Sequence, residues 1–162
     1  MHTDAIDWRI LAALQQNGRL SNQDLADQVA LSPSACLRRV RALEEQGLIK
    51  GYHAVLDAQQ LGHELEAIVH ISLDSSREGW HDEFLQQITI FSEIAAAYIV
   101  TGNCNYILHV RCQNLAAFST FMVERLNKLP GMRDVCSYIV MKKIKDQLSL
   151  LPISKGQLSS SA

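Results

Sequence analysis

"LSPSACLRRVRALEEQGLIKGY", residues 31–52, gathers Arg38, Arg39 and Arg41 within about one helical turn, in a chain whose formal net charge is −2. Ser32 and Pro33 open the stretch as a helix start. The serine hydroxyl can accept from a free N–H of the first turn, and proline at the first helical position has no N–H to lose. The spacing predicts a helix from there to Gln46, with Gly47 as the residue that ends it. Cys36, Leu37, Val40 and Leu43 are expected on the buried side, with Ser34, Ala35, Arg38, Arg39, Arg41 and Ala42 largely on the other. Small residues in the first turn, with arginines one turn later, suit a helix lying in the major groove of DNA. The small side chains allow close approach, and a guanidinium can fork to guanine O6 and N7 or to phosphate.

The residues upstream supply the partners such a helix needs. In "TDAIDWRILAALQQNG", Ile6, Ile10, Leu11 and Leu14 form an amphipathic stripe that Asn17-Gly18 ends. In "LSNQDLADQVAL", Ser21 and Asp24 have the form of a capping box, and Leu25 and Val29 form the buried face of a short second helix. Two short helices, the second studded with arginine, read as a helix-turn-helix. "LIKGYHAVLD" beyond it predicts an apolar strand serving as the wing of a winged helix.

Bulk properties narrow the field. An apolar content of 48% with 20% charged residues suits a well-cored globular chain. No apolar run approaches the roughly 18 residues of a membrane span, and the start "MHTDAIDWRI" lacks the pattern of a secretion signal, which predicts a cytoplasmic protein without a membrane partner. Cys36, Cys104, Cys112 and Cys136 are scattered and predict small buried hydrophobes. Residues 1–53 carry Arg9, Arg19, Arg38, Arg39, Arg41 and Lys50 against Asp4, Asp7, Asp24, Asp27, Glu44 and Glu45, a zero balance. Bulk charge therefore cannot hold phosphates; a focused patch, present in several copies, must do so.

After Leu61-Gly62 the pattern changes. "LEAIVHISLD" alternates, with Ala67, Val69, Ile71 and Leu73 opposite Glu66, Ile68, His70 and Ser72, the mark of a strand with one face on a core. "GWHDEFLQQITIF" carries Trp80, Phe84, Leu85 and Ile88 at helical spacing, and "EIAAAYIVTG" is rich in strand formers at its end. "NYILHVRC" alternates again. "LAAFSTFMVERLNKL" predicts a helix built on Leu115, Phe118, Phe121 or Met122, and Leu126, and "VCSYIVMKKIK" a last strand. The order β-α-β-β-α-β is ferredoxin-like. Helices on one face leave the other open, and a face bearing Ile68, His70 and Ser72 predicts cover by a second copy, hence a homodimer. The expected organisation is α+β: a winged helix-turn-helix over 1–50, a linker strand or hairpin over 51–63, a ferredoxin-like domain over 64–146 and a tail over 147–162.

"LSPSACLRRVRALEEQGLIKGY", "YIVTGNCNYILHVR" and "LPGMRDVCSYIVMKKIK" together resemble the Lrp/AsnC (feast/famine) family of bacterial and archaeal transcription regulators, from about Asp4 to Lys145 and in the family's order. The resemblance implies a DNA-binding winged helix joined to a ligand-sensing and oligomerisation domain, in dimers that assemble further, often to octamers, and respond to amino acids. It places Pro33–Glu45 as the recognition helix, with Ser34, Arg38, Arg39 and Arg41 toward double-stranded DNA. It also implies an effector loop of the form G-D-x-D-Y/F, here Gly102-Asn103-Cys104-Asn105-Tyr106, with Ser137 and Tyr138 beside it. Both aspartates of that motif are asparagines in this chain. An asparagine cannot neutralise a ligand's ammonium group, and each charge-assisted bond lost weakens capture by about 1.5–3 kcal/mol.

Other readings of the same residues are weaker. Cys104 in the loop raises a thiol-sensing role, but no Lys, Arg or His adjoins it in sequence to lower its pKa. His70 and His109 suggest a metal less than a pair at a dimer interface, since no ligand spacing supports the metal. Neither cofactor nor catalytic residue is predicted: no phosphate-cradling glycine loop, nucleophile elbow or paired carboxylates stand out. The remaining alternative is an architectural protein that wraps DNA without an effector. On the regulator reading, Arg38 and Arg41 are expected at base edges and Arg39 at phosphate. The tail begins with an apolar patch at Leu148, Leu150, Leu151 and Ile153, expected to pack on the domain or a neighbour, and ends in a serine run expected to be disordered.

Overall fold

The computed structural model describes residues 3–73 and 80–145, so the tail patch lies outside the described residues. They form two compact units, one reaching Val55 and one running from Leu56 to Ile144.

The first unit is three helices: α1 (Ala5–Gln16), α2 (Asn22–Val29) and α3 (Pro33–Glu45). Asp4 caps α1, its carboxylate accepting from the N–H groups of Ile6 and Asp7 at 2.9 Å, while the Asp7 carboxylate accepts from the Asp4 N–H at 3.1 Å. This reciprocal cap satisfies donors that no helical carbonyl can reach. At α2 the Ser21 hydroxyl accepts from the Asp24 N–H at 3.1 Å and donates to its carboxylate at 2.6 Å. The Ser32 hydroxyl accepts from the Ala35 N–H at the start of α3. Gly47, at φ 72°, closes α3 with Gly47 N–H donating to the Glu44 carbonyl and Leu48 N–H to that of Leu43, a paired closure that requires the left-handed residue.

Ile10, Leu25, Ala26, Val29, Cys36 and Leu43 are buried together, with Ile6, Leu11, Leu14, Val40 and Ile49 packed around them. Leu37 departs from expectation: it is 38% exposed. Cys36, Val40 and Leu43 follow the i, i+4, i+7 line that faces the core, and Leu37 is rotated by about 100° from Cys36, away from it. The wing strand expected over Leu48–Asp57 is also absent; these residues take no regular structure, and Tyr52, Val55 and Leu56 are exposed. A strand needs a neighbour for its N–H and C=O groups, and the described residues of the single chain present none here. Tyr52 instead donates its hydroxyl to Glu44 at 3.0 Å.

The second unit opens with turns after Asp57, whose carboxylate accepts from the N–H groups of Gln59 and Gln60. Then follow β1 (Leu65–Leu73), α4 (Trp80–Ile90), β2 (Ile94–Ile99), β3 (Tyr106–Cys112), α5 (Leu115–Thr120) and β4 (Met132–Ile139). The sheet order is β2-β3-β1-β4 and every pair is antiparallel, the ferredoxin-like arrangement read from the sequence. Ala67, Val69 and Ile71 of β1 and Leu108 and Val110 of β3 are fully buried against Phe84 and Ile88 of α4 and Phe118, Phe121, Met122 and Leu126 from α5 onward. Phe121 and Met122 are both buried because a π-helical turn, Phe121–Arg125, follows α5 and lets adjacent side chains face the core. Leu115 is exposed, contrary to expectation. It is the first residue after the Asn114 cap, where the helix starts beyond the core's edge.

Candidate functional site

Two places on the chain gather the residues singled out above. The first is the outer face of α3. Ser34, Leu37, Arg38, Arg41, Ala42 and Glu45, spaced as successive turns of one helix, line a shallow surface groove. Arg38 and Arg41 therefore share a face with the small Ser34, an arrangement able to approach a polyanion closely and fork to it. Leu37 was missed as a member of this face; its spacing of three from Ser34 and four from Arg41 is the signal that places it there.

Arg39 lies elsewhere. Its guanidinium donates from one nitrogen to Asp4 at 2.8 Å and to Asp7 at 2.7 Å, tying the middle of α3 to the first turn of α1. Its hydrogen bonds to Asp7 and then Asp4 raise its pKa, which leaves the charge fixed. The Asp4 carboxyl is held below its ordinary range, first by the Asp7 N–H and then by Arg39. The expectation that Arg39 is free for phosphate thus meets a side chain already occupied by two carboxylates. The signal was the pair of aspartates one turn apart at the start of α1, which marks a helix N-terminus but equally offers a seat for a guanidinium.

The second place is the loop before β3. Gly102 takes φ 126°, a conformation open to glycine. Asn105 is anchored on three sides: its N–H donates to the Ile71 carbonyl at 2.8 Å, its carbonyl accepts from Val100 at 3.0 Å, and its side-chain oxygen accepts from the Leu73 N–H at 2.8 Å. Ser72 donates to the Asn103 carbonyl, and so is buried rather than lying on an open face. Tyr106 is buried, with its ring on Phe84 and its hydroxyl 2.5 Å from His81 Nδ1, so it supports the loop from within the core. Gly102 and Asn103 are exposed.

Strand β4 contributes unequally. Tyr138 is opposite Ile68 and its ring meets that of His70 edge-on at 5.1 Å, on the sheet face away from the helices. Ser137 is opposite Val69 and so points the other way. The Tyr138 phenol is pushed up, first by its hydrogen bond to Cys136. Of the four cysteines, Cys36 and Cys112 are buried as expected, whereas Cys136 is exposed and Cys104 half-buried. The histidines also separate: His109 bonds Glu66, and His70 meets Tyr138. Glu66 binds Lys143 as well, at 2.9 Å; burial works against its charge, but these two partners hold its carboxyl below the usual value. Among the described residues no group of three or more His, Cys, Asp and Glu could hold a metal ion, and no helix is long and apolar enough to cross a membrane.

A helix-turn-helix whose outer helix carries an arginine-lined groove, joined to a ferredoxin-like domain, defines a DNA-binding protein with an appended α+β domain. Comparison with known proteins makes this specific. Residues 3–50 match the winged helix-turn-helix DNA-binding family and residues 66–150 the Lrp/AsnC ligand binding domain. The chain is 40% identical over 142 residues to the leucine-responsive regulatory protein of Haemophilus influenzae, covering 88% of this chain and 86% of that protein. Its counterpart in Escherichia coli is 37% identical, over 91% of this chain and 90% of that one. Among solved structures, a transcriptional regulator of Neisseria meningitidis in complex with L-Met superposes with a TM-score of 0.89 at 34% identity, covering 93% and 97% of the two chains. An AsnC family regulator from Agrobacterium tumefaciens gives 0.86 at 32%, covering 92% and 97%. The chain belongs to the Lrp/AsnC family of DNA-binding transcriptional regulators.

Proposed function

We propose that this chain binds double-stranded DNA through the groove face of α3, as a homodimer that assembles further, toward an octamer. In this reading an amino acid or related small metabolite, held at Gly102–Tyr106 where dimers meet, tunes that binding in the cytoplasm. The observation that carries the DNA reading is the shared face of Ser34, Arg38 and Arg41 on a helix whose opposite side is core. Two heads related by a dimer axis would address successive major grooves about one helical turn apart, so the sites are expected to be imperfect palindromes. Because each head carries no net charge, affinity comes from linking several heads, and the dependence on salt is steep.

The effector reading is supported by the L-Met complex of the Neisseria meningitidis relative and by the leucine-responsive regulators at 37–40% identity. Asn103 and Asn105 change what the loop can offer. The Asn105 side-chain oxygen already serves the Leu73 N–H, a role an aspartate oxygen would fill equally well. Asn105→Asp should therefore keep the fold and add the negative charge that an ammonium group seeks. No catalytic step is proposed.

The deciding experiment is light scattering with in-line chromatography, with and without each common amino acid. A mass or melting temperature that shifts with one amino acid supports effector control. Indifference to all of them, in the native chain and in Asn105→Asp alike, refutes it.

A further inference from the structure

Leu37 is the one apolar side chain of more than a methyl group on the groove face of α3. It sits between Ser34 and the arginines at 38 and 41 and is 38% exposed. The core of this unit takes Cys36, Val40 and Leu43 from the same helix and does not include Leu37. A leucine has no donor or acceptor. Placed against O6, N7 or N4 of a base edge, it would strip those groups of water and return nothing. The floor of the major groove offers one apolar group, the C5-methyl of thymine. Resting on the DNA-binding reading above, we propose that Leu37 is a specificity-determining residue that packs on a thymine methyl, beside bases read by Arg38 or Arg41. The arginines then supply attraction and hydrogen bonding, and the leucine fixes which base step lies between them.

The test uses the full-length chain and a duplex selected from a randomised pool for tight binding. Each thymine of the duplex is replaced in turn by deoxyuridine, which removes the methyl and leaves every hydrogen-bonding group in place. One position per half-site is expected to weaken binding about fourfold, the factor for roughly one buried methyl group. In Leu37→Ala that position should become indifferent to the methyl, while the remaining positions keep their wild-type response. Because the deoxyuridine scan is first read on the unaltered protein, it stands whether or not the variant folds. Specific binding that is lost in Arg38→Ala or Arg41→Ala, yet is indifferent to every methyl, would overturn the assignment of Leu37 and leave the DNA reading intact. Methyl sensitivity that persists undiminished in Leu37→Ala would do the same. An absence of sequence-specific binding to any selected duplex would overturn both.

Discussion

Three arginines stand within four positions of α3, yet their surroundings give them two different tasks. Arg38 and Arg41 line the groove, whereas Arg39 joins α3 to α1 through Asp4 and Asp7. Arg41→Ala should therefore weaken binding to a selected duplex by about 1–3 kcal/mol and relax the choice of base at one position per half-site, read by titration against single-base variants of that duplex. Arg39→Met should leave that binding unchanged. It should instead cost about 1 kcal/mol in urea unfolding, since its two ion pairs are partly solvated and each is worth about 0.2–1 kcal/mol. Acid should affect the same contact. Asp4 has a folded pKa lowered by the Asp7 N–H and by Arg39, so its contribution is complete above the unfolded carboxylate value of about 4 and is lost as pH falls through the lower folded value. The melting temperature of the DNA-binding unit should decline below about pH 4, and the decline should be shallower in Asp4→Asn.

Helix ends decide how the elements meet. Residue Ala30 ends α2 at φ 58°, the one non-glycine residue with positive φ among those described. Its N–H donates to Asp27 and the Leu31 N–H donates to Ala26, a closure that turns the chain sharply into α3. An alanine held there is destabilised by about 1–2 kcal/mol, while glycine adds back about 0.4–1 kcal/mol through the freedom of the unfolded chain. Ala30→Gly should thus stabilise the chain by about 0.5–1 kcal/mol in chemical denaturation without altering DNA affinity. The caps at Ser21 and Ser32 were legible because they depend on residues within a few positions. The missing wing strand and the π-helical turn after α5 were not. A strand at Leu48–Asp57 requires a neighbour that periodicity cannot supply, and the widened turn answers the fit of Phe121 and Met122 into one core.

At the scale of the whole molecule, the sheet face opposite the helices bears Ile68, His70, Ile107 and Tyr138, and none of these four is fully buried in the single chain. If a second copy covers this face, Ile68→Glu should convert dimer to monomer in light scattering, because a carboxylate there would lose its water on association. The circular dichroism of the variant should remain native-like, since Ile68 lies outside the core. Weakened DNA binding should accompany the loss of mass, because separated heads lose their effective concentration.

Local periodicity and end signals were enough to determine the three-helix head, the β-α-β-β-α-β order and the arginine-rich helix. These features rest on contacts between residues a few positions apart, or on the alternation of apolar side chains within one element. The family's motifs followed from the same short stretches. Only the tertiary structure decided that Arg39 is tied down, that Asn105 anchors β1 and that Tyr106 belongs to the core. Each of these is set by a partner far along the chain: Asp4 and Asp7 for Arg39, Leu73 for Asn105, and His81 and Phe84 for Tyr106. A side chain's periodicity gives the direction in which it points, and the folded chain alone brings the distant group that it meets there.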